Sequence, residues 1–419
     1  MSKNSLPGPD NVTRVVFDNG IRVLVRENHS SPVVVLEGAL ATGNIHDPAG
    51  KSGLSSFVAS MMTRGSQKYD YATFNEITES VGANLSLSSE NEQMNFGITC
   101  LNEDFAQMVE VLADVLRHPT FPEQQIELVR RRRIVGLQER EQDTASMAHL
   151  RFYETIYAGH PYGLAVSGYL DSISSIQRSD LVDFHRQRIT PNGTVIVIAG
   201  DISTPAVLDL LRSHLGDWQG ASTDQTTPPL PSFQGIHQAH VTIADKFQSD
   251  IVLGWRALDR KHPDYYKLRV ANCILGVFGM MGRLGEVVRE QQGLAYYSYS
   301  TVDSSRMGGV WLASAGVNSA NVEQAMTSIL AEFSRLAAEP VSIGELSDTQ
   351  AYLTGALPLT LETNSGVAAV LLDIELLDLG LDYLQRYPGL IKSVTLEDVQ
   401  HIAKTCLQSD AYALVVAGA

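Results

Sequence analysis

The chain has 419 residues, with 31 Lys and Arg against 47 Asp and Glu, 44% apolar residues and a formal net charge of −16. That apolar content is too high for a disordered chain, and the length suffices for two or three domains with substantial cores. The acid excess argues against a basic face for nucleic acid or anionic lipid, and no eighteen apolar residues run together as a membrane span requires. The opening segment MSKNSLPGPDNV has no apolar run behind Lys3, so no secretory leader is expected. Arg14 to Glu27 reads as a hairpin around Asp18-Asn19-Gly20. A strand region follows at Val33 to Thr42, then helical spacing over Ser52 to Arg64 and Ala72 to Val81. Alternation predicts strands at Asn84 to Ser89 and Met94 to Leu101. Phe105, Met108, Val109 and Leu112 form a helical stripe within Asp104 to Leu116. Further helices lead to the apolar strand VIVIAG, Val195 to Gly200.

The second half repeats the first. Ala199-Gly200 recurs as Ala417-Gly418, 218 positions on. The same shift joins Asp180 to Asp398, Pro122 to Pro340, Glu127 to Glu345, and VVVLEGAL (Val33 to Leu40) to IVLGWRAL (Ile251 to Leu258). Between the copies lies a Pro-, Gly-, Ser- and Thr-rich stretch without apolar periodicity. The expected organisation is an N-terminal lobe at 1–217, a linker at 218–235 and a C-terminal lobe at 236–419. The element order predicts an α+β fold of two tandem homologous lobes, each a mainly antiparallel sheet with helices packed on one face.

Local chemistry is sparse. Cys100, Cys273 and Cys406 are too few and scattered for a disulfide framework, and no CxxC pair exists. A reducing, cytoplasmic setting is expected. Among eleven histidines only His237 and His240 lie within four residues of each other, beside the linker, where solvated side chains leading into a strand are expected. There is no HExxH, HxxEH, GxSxG, SxxK or P-loop. The run Arg130 to Arg133 points all round a helix and reads as solvated, with Glu127 and Glu139 as partners. Phe278 to Gly282 reads as a tight helix junction.

Several segments carry a resemblance. GLSSFVASMMTRGS (Gly53 to Ser66) is similar to the GLAHFLEHMxFRGT helix of pitrilysin/insulinase-type zinc peptidases. These include insulin-degrading enzyme, the mitochondrial processing peptidase and small bacterial heterodimeric members. The Gly20 hairpin, Val81-Gly82-Ala83 and HPYG (His160 to Gly163) are similar pieces, and GRLGEVVREQQGLAY (Gly282 to Tyr296) resembles that family's SRLFQELREKRGLAY. The likeness runs in order along the whole chain.

That resemblance implies a fold, and a departure from it implies a function. The family's HxxEH places two zinc-binding His and a general-base Glu at positions that here are Ser56, Ala59 and Ser60. Its third, glutamate ligand would fall near Glu139, with Glu141 an equal register. Hydroxyl and methyl groups replace neither imidazole nor carboxylate, so no metal and no cofactor is expected on this chain; zinc is expected in a partner. The family's Arg and Tyr that reach the substrate carbonyl correspond to Arg289 and Tyr296, whose own spacing also fits an Arg capping its helix and a Tyr packed in a sheet. The resemblance thus implies a catalytically inactive subunit of a heterodimeric zinc peptidase. Its partners would be a paralogous zinc-binding subunit and peptide substrates, with no nucleic acid and no membrane. The alternatives are a scaffold or peptide-binding protein of the same fold, as core subunits of the mitochondrial respiratory complex are, and an active metallopeptidase with unrecognised ligands.

Overall fold

The computed structural model describes residues 6–220 and 227–419. Residues 221–226 of the expected linker and 1–5 of the opening segment lie outside the described residues. In chain order the strands and helices are β1 (Thr13–Val16), β2 (Arg22–Glu27), β3 (Val33–Leu40), α1 (Leu54–Met62), α2 (Tyr71–Ser80), β4 (Asn84–Ser89) and β5 (Met94–Leu101). Then come α3 (Phe105–Arg117), α4 (Glu123–Glu141), α5 (Thr144–Ile156), α6 (Leu170–Ser175), α7 (Arg178–Arg188), β6 (Val195–Gly200) and α8 (Thr204–Leu215). The second half holds β7 (His237–Thr242), β8 (Gln248–Ala257), α9 (Tyr265–Gly276), α10 (Phe278–Leu284), a π-helix (Gly285–Gln291), β9 (Ala295–Ser304) and β10 (Gly309–Asn318). It ends with α11 (Val322–Ala338), α12 (Ile343–Thr360), α13 (Asn364–Leu376), α14 (Tyr383–Lys392), α15 (Leu396–Cys406) and β11 (Ala413–Gly418). The repeat is visible element by element: α7 and α15, and β6 and β11, stand 218 residues apart at both ends.

Two compact units form, and neither is continuous in sequence. The first comprises the described parts of Met1–Leu137, Ala165–Thr227 and Pro358–Gln385; the second comprises Gln138–Leu164, Pro228–Leu357 and Arg386–Ala419. The first unit holds a six-stranded sheet in the order β1-β2-β6-β3-β5-β4, with β2 and β6 parallel and the other pairs antiparallel. Val34, Leu36, Ile196 and Ile198 point into a core with Phe57, Val58, Met61 and Met62 of α1 and the stripe of α3. The alternate residues Val35, Ala39, Val195 and Val197 are buried as well, so β3 and β6 are apolar on both faces. The helix against β3 and β6 on that second side is α13, contributed by the other half of the sequence. Its anchors are polar: the Glu375 carboxylate accepts from Arg14 Nε, Arg14 Nη2 and Arg22 Nη1, each at 2.9 Å, and Asn364 Nδ2 donates to the Val33 carbonyl at 2.9 Å.

The second unit mirrors this plan with a five-stranded sheet, β7-β11-β8-β10-β9, in which β7 and β11 are parallel. Trp255 and Trp311, opposite each other on β8 and β10, pack on Phe333 of α11 with ring centroids 4.6 and 5.8 Å away. The other face is covered by α5, the first-half counterpart of α13. There Thr144 Oγ1 donates to the buried Asp250 carboxylate at 2.5 Å, Tyr297 donates to its other oxygen, and His149 Nε2 lies 3.0 Å from Ser314 Oγ. Each sheet therefore carries helices on both faces, the second cover being a single helix from the opposite copy of the repeat.

Candidate functional site

The N-terminal end of α1 is built around one carboxylate. Asp47 accepts from the backbone N–H groups of Gly53 and Ser55, both at 2.8 Å, and so caps the helix from six residues upstream. Burial pushes the Asp47 carboxyl up to about 7, against those N–H groups, which hold it down. Gly53 has φ of 92°, and a Cβ there would stand 2.8 Å from the Gly168 backbone, so only glycine fits. Asp47→Ala is expected to cost about 1–2 kcal/mol of stability, read from the urea midpoint.

Leu54, Phe57, Val58, Met61 and Met62 fix the buried side of α1, with Ala59 only 2% exposed. Ser56 and Ser60, one turn apart, face α4. The residue that meets them is Arg133: its Nη2 is 2.7 Å from Ser60 Oγ and 3.0 Å from Ser56 Oγ, and its Nη1 is 3.0 Å from Ser56 Oγ. Nη2 also donates to the Ser56 carbonyl at 2.5 Å. The Arg133 Cζ stands 5.2 Å from the Phe57 ring centroid, a cation–π distance. Burial pulls the Arg133 guanidinium down to about 10 while Asp47 pushes it up, leaving it charged at neutral pH.

This corrects the reading of the arginine run as solvated. Arg131 and Arg132 are exposed, but Arg130 bonds Glu127 and the Ile173 carbonyl over the Phe57 ring, and Arg133 is in the site. Arg130, Arg133 and Leu137 lie on one helical face, a period that the consecutive run masks. Glu139 and Glu141 are exposed further along α4. The α4 side chain held by Ser56 and Ser60 is a cation. Two hydroxyls, a methyl and a guanidinium do not fit a zinc ion, which takes imidazole, thiolate or carboxylate. Among the described residues, no three His, Cys, Asp or Glu side chains gather as a metal site.

In the second unit, α10 contains a break at Gly279–Gly282, with φ of 73° at Met281, and the chain then enters the π-helix. Helices of this type recur at functional sites because the wider turn re-aims side chains. Leu284 and Val288 are buried, and Gly293, with φ of 63°, ends the helix through its N–H to the Arg289 carbonyl at 3.0 Å. Arg289 lies in the last turn, half-exposed, with its Nε 3.5 Å from a Glu290 carboxylate oxygen. Tyr296, second residue of β9, is 82% exposed; its neighbour Tyr297 turns to the other face and bonds Asp250. Tyr296 is therefore not a sheet-packing tyrosine.

Beside this helix a cavity of about 480 Å³ is lined by Phe278, Met280, Arg283, Glu286, Glu345 and Asp348, among others. Arg283 grips Glu345 with two bonds, Nε to Oε1 at 2.6 Å and Nη2 to Oε2 at 3.0 Å. Burial pushes the Glu345 carboxyl up, but Arg283 and the Ser342 N–H outweigh it and hold the group at about 2, below its ordinary 4.5. The stability from this pair is whole above pH 4.5 and is lost as the pH falls toward 2. A Glu345→Gln variant is expected to show a shallower acid limb in a thermal-midpoint titration. The remaining histidine motifs are structural or solvated. His160 is buried, its Nδ1 accepting from the Tyr162 N–H and its Nε2 2.9 Å from the Pro228 carbonyl, while His237 and His240 are exposed on β7.

Comparison with known proteins agrees with this architecture. The family profile described as Insulinase (Peptidase family M16) matches residues 22–168, and that described as Peptidase M16 inactive domain matches 175–353. The chain is 25% identical over 406 residues to the uncharacterized zinc protease YmxG of Bacillus subtilis, covering 97% of this chain and 98% of that protein. It is 27% identical over 274 residues to the mitochondrial cytochrome b-c1 complex subunit 1 of Bos taurus, covering 62% of this chain and 54% of that one. Among solved structures, the peptidase M16 inactive domain from Pseudomonas fluorescens superposes with a TM-score of 0.91 at 22% identity, covering 97% of this chain and 98% of that one. A protease from Helicobacter pylori gives a TM-score of 0.91 at 20% identity, covering 99% and 100%. With its tandem α+β lobes and the matched segments in order, the chain belongs to the insulinase (M16) family.

Proposed function

We propose that this chain is the catalytically silent half of a two-chain zinc peptidase, supplying Arg289 and Tyr296 in trans to a paralogue that keeps HxxEH. The observation that carries this reading is an asymmetry between the units: α1 offers a guanidinium held by two serines, whereas Tyr296 stands 82% exposed three residues beyond the glycine that ends the π-helix. Zinc bound to the partner would supply the activated water. This chain's part is electrostatic. The Arg289 guanidinium and the Tyr296 hydroxyl are donors, and both act on the substrate carbonyl oxygen as it gains negative charge. Neither chain cleaves efficiently alone. The test is to purify both chains separately and mix them in a peptide-cleavage assay; partner activity that this chain leaves unchanged rejects the reading.

A second reading is favoured by the likeness to the cytochrome b-c1 subunit: a scaffold of the same fold with no part in proteolysis. It predicts that Arg289→Ala and Tyr296→Phe change nothing except assembly.

A further inference from the structure

In the resembling zinc peptidases, two side chains one turn apart on a helix converge on a cation, and they do so here. What differs is the cation's origin. Arg133 Nη2 sits within hydrogen-bonding distance of both Ser56 Oγ and Ser60 Oγ, so one nitrogen occupies the point on which the i and i+4 side chains close. The acceptors match the donor: short hydroxyls leave room for a planar guanidinium, where two imidazoles would run into it. The Phe57 ring flanks the charge, and Asp47, the α1 cap, contributes an attractive field.

We propose that Arg133 is an internal replacement for the metal ion, a permanent cation that ties α4 to α1 and keeps a divalent ion out of the site. This stands independently of the partner reading, because it concerns one chain alone. It also makes the loss of the metal a coupled change: restoring the ligands without removing Arg133 places a fixed positive charge where the ion would bind. A Glu at 133, by contrast, faces the same two positions and would complete a His₂Glu set of the kind zinc accepts.

The test compares Ser56→His/Ser60→His with the same pair plus Arg133→Glu, measuring zinc retained after dialysis and the visible spectrum of the cobalt-loaded chains. The triple variant is expected to hold about one zinc per chain with tetrahedral cobalt bands, and the double variant almost none. Equal zinc in both, or none in either, overturns the claim that Arg133 is what excludes the ion. Arg133→Met in the otherwise unchanged chain tests the tie between helices without relying on the reconstructed site. Its thermal midpoint is expected to fall by roughly 5 °C, and an unshifted midpoint overturns the structural half of the proposal.

Discussion

Under the proposed trans reading, Arg289→Ala, introduced into this chain and assayed with a paralogue that keeps HxxEH, is expected to lower kcat/KM for peptide cleavage about 10²- to 10³-fold, the cost of removing one preorganised oxyanion donor. Tyr296→Phe is expected to lose roughly tenfold, the worth of one hydrogen bond of about 1.4 kcal/mol. The location of both residues makes these losses readable. Tyr296 is 82% exposed and the Arg289 side chain is 31% exposed, so neither substitution opens a core cavity, and stability should move by less than about 0.5 kcal/mol. Arg289→Lys should recover only part of the rate, because an ammonium lacks the planar fork of donors. Steady-state kinetics should place the loss in kcat more than in KM if the donors act on the developing charge. A scaffold would show full activity in all three variants.

Arg133→Met is the second large effect, and it falls on stability. The substitution removes bonds from a charged donor to Ser56 Oγ, the Ser56 carbonyl and Ser60 Oγ together. Bonds of this kind contribute about 1.5–3 kcal/mol each and are not additive, so a net loss of about 2–4 kcal/mol is expected in urea unfolding. Both serine hydroxyls then lose their charged donor in a half-buried place. Arg133→Lys should restore less than half of the loss, since one ammonium cannot span Ser56 and Ser60 while packing on Phe57.

Much of the architecture was legible because it is written in short periods. Alternation marks β4 and β5 at the residues where they occur, and the 218-residue shift pairs the helices α7 and α15 from sequence alone. The exchange of α5 and α13 was not legible. Periodicity tells which side of a helix is buried but not which sheet it covers, and only the closure of the fold puts Glu375 beside Arg14. The π-helix was invisible for a related reason: GEVVREQQ reads as an ordinary helix, and nothing in its periodicity marks the wider turn that comes after the Gly279–Gly282 break. At the site, residue chemistry alone made clear that Ser56, Ala59 and Ser60 offer no imidazole or carboxylate. The guanidinium that meets Ser56 and Ser60 was hidden in a run of four arginines, where a count of charges suggested solvation and only the i, i+3, i+7 face singles out Arg130 and Arg133.

The most direct measurement is peptide cleavage by the HxxEH-bearing paralogue with this chain added in increasing amounts. The account predicts near-zero turnover by either polypeptide alone and a rise that saturates at one equivalent. A paralogue that is fully active by itself, with a rate indifferent to the added chain, would contradict it.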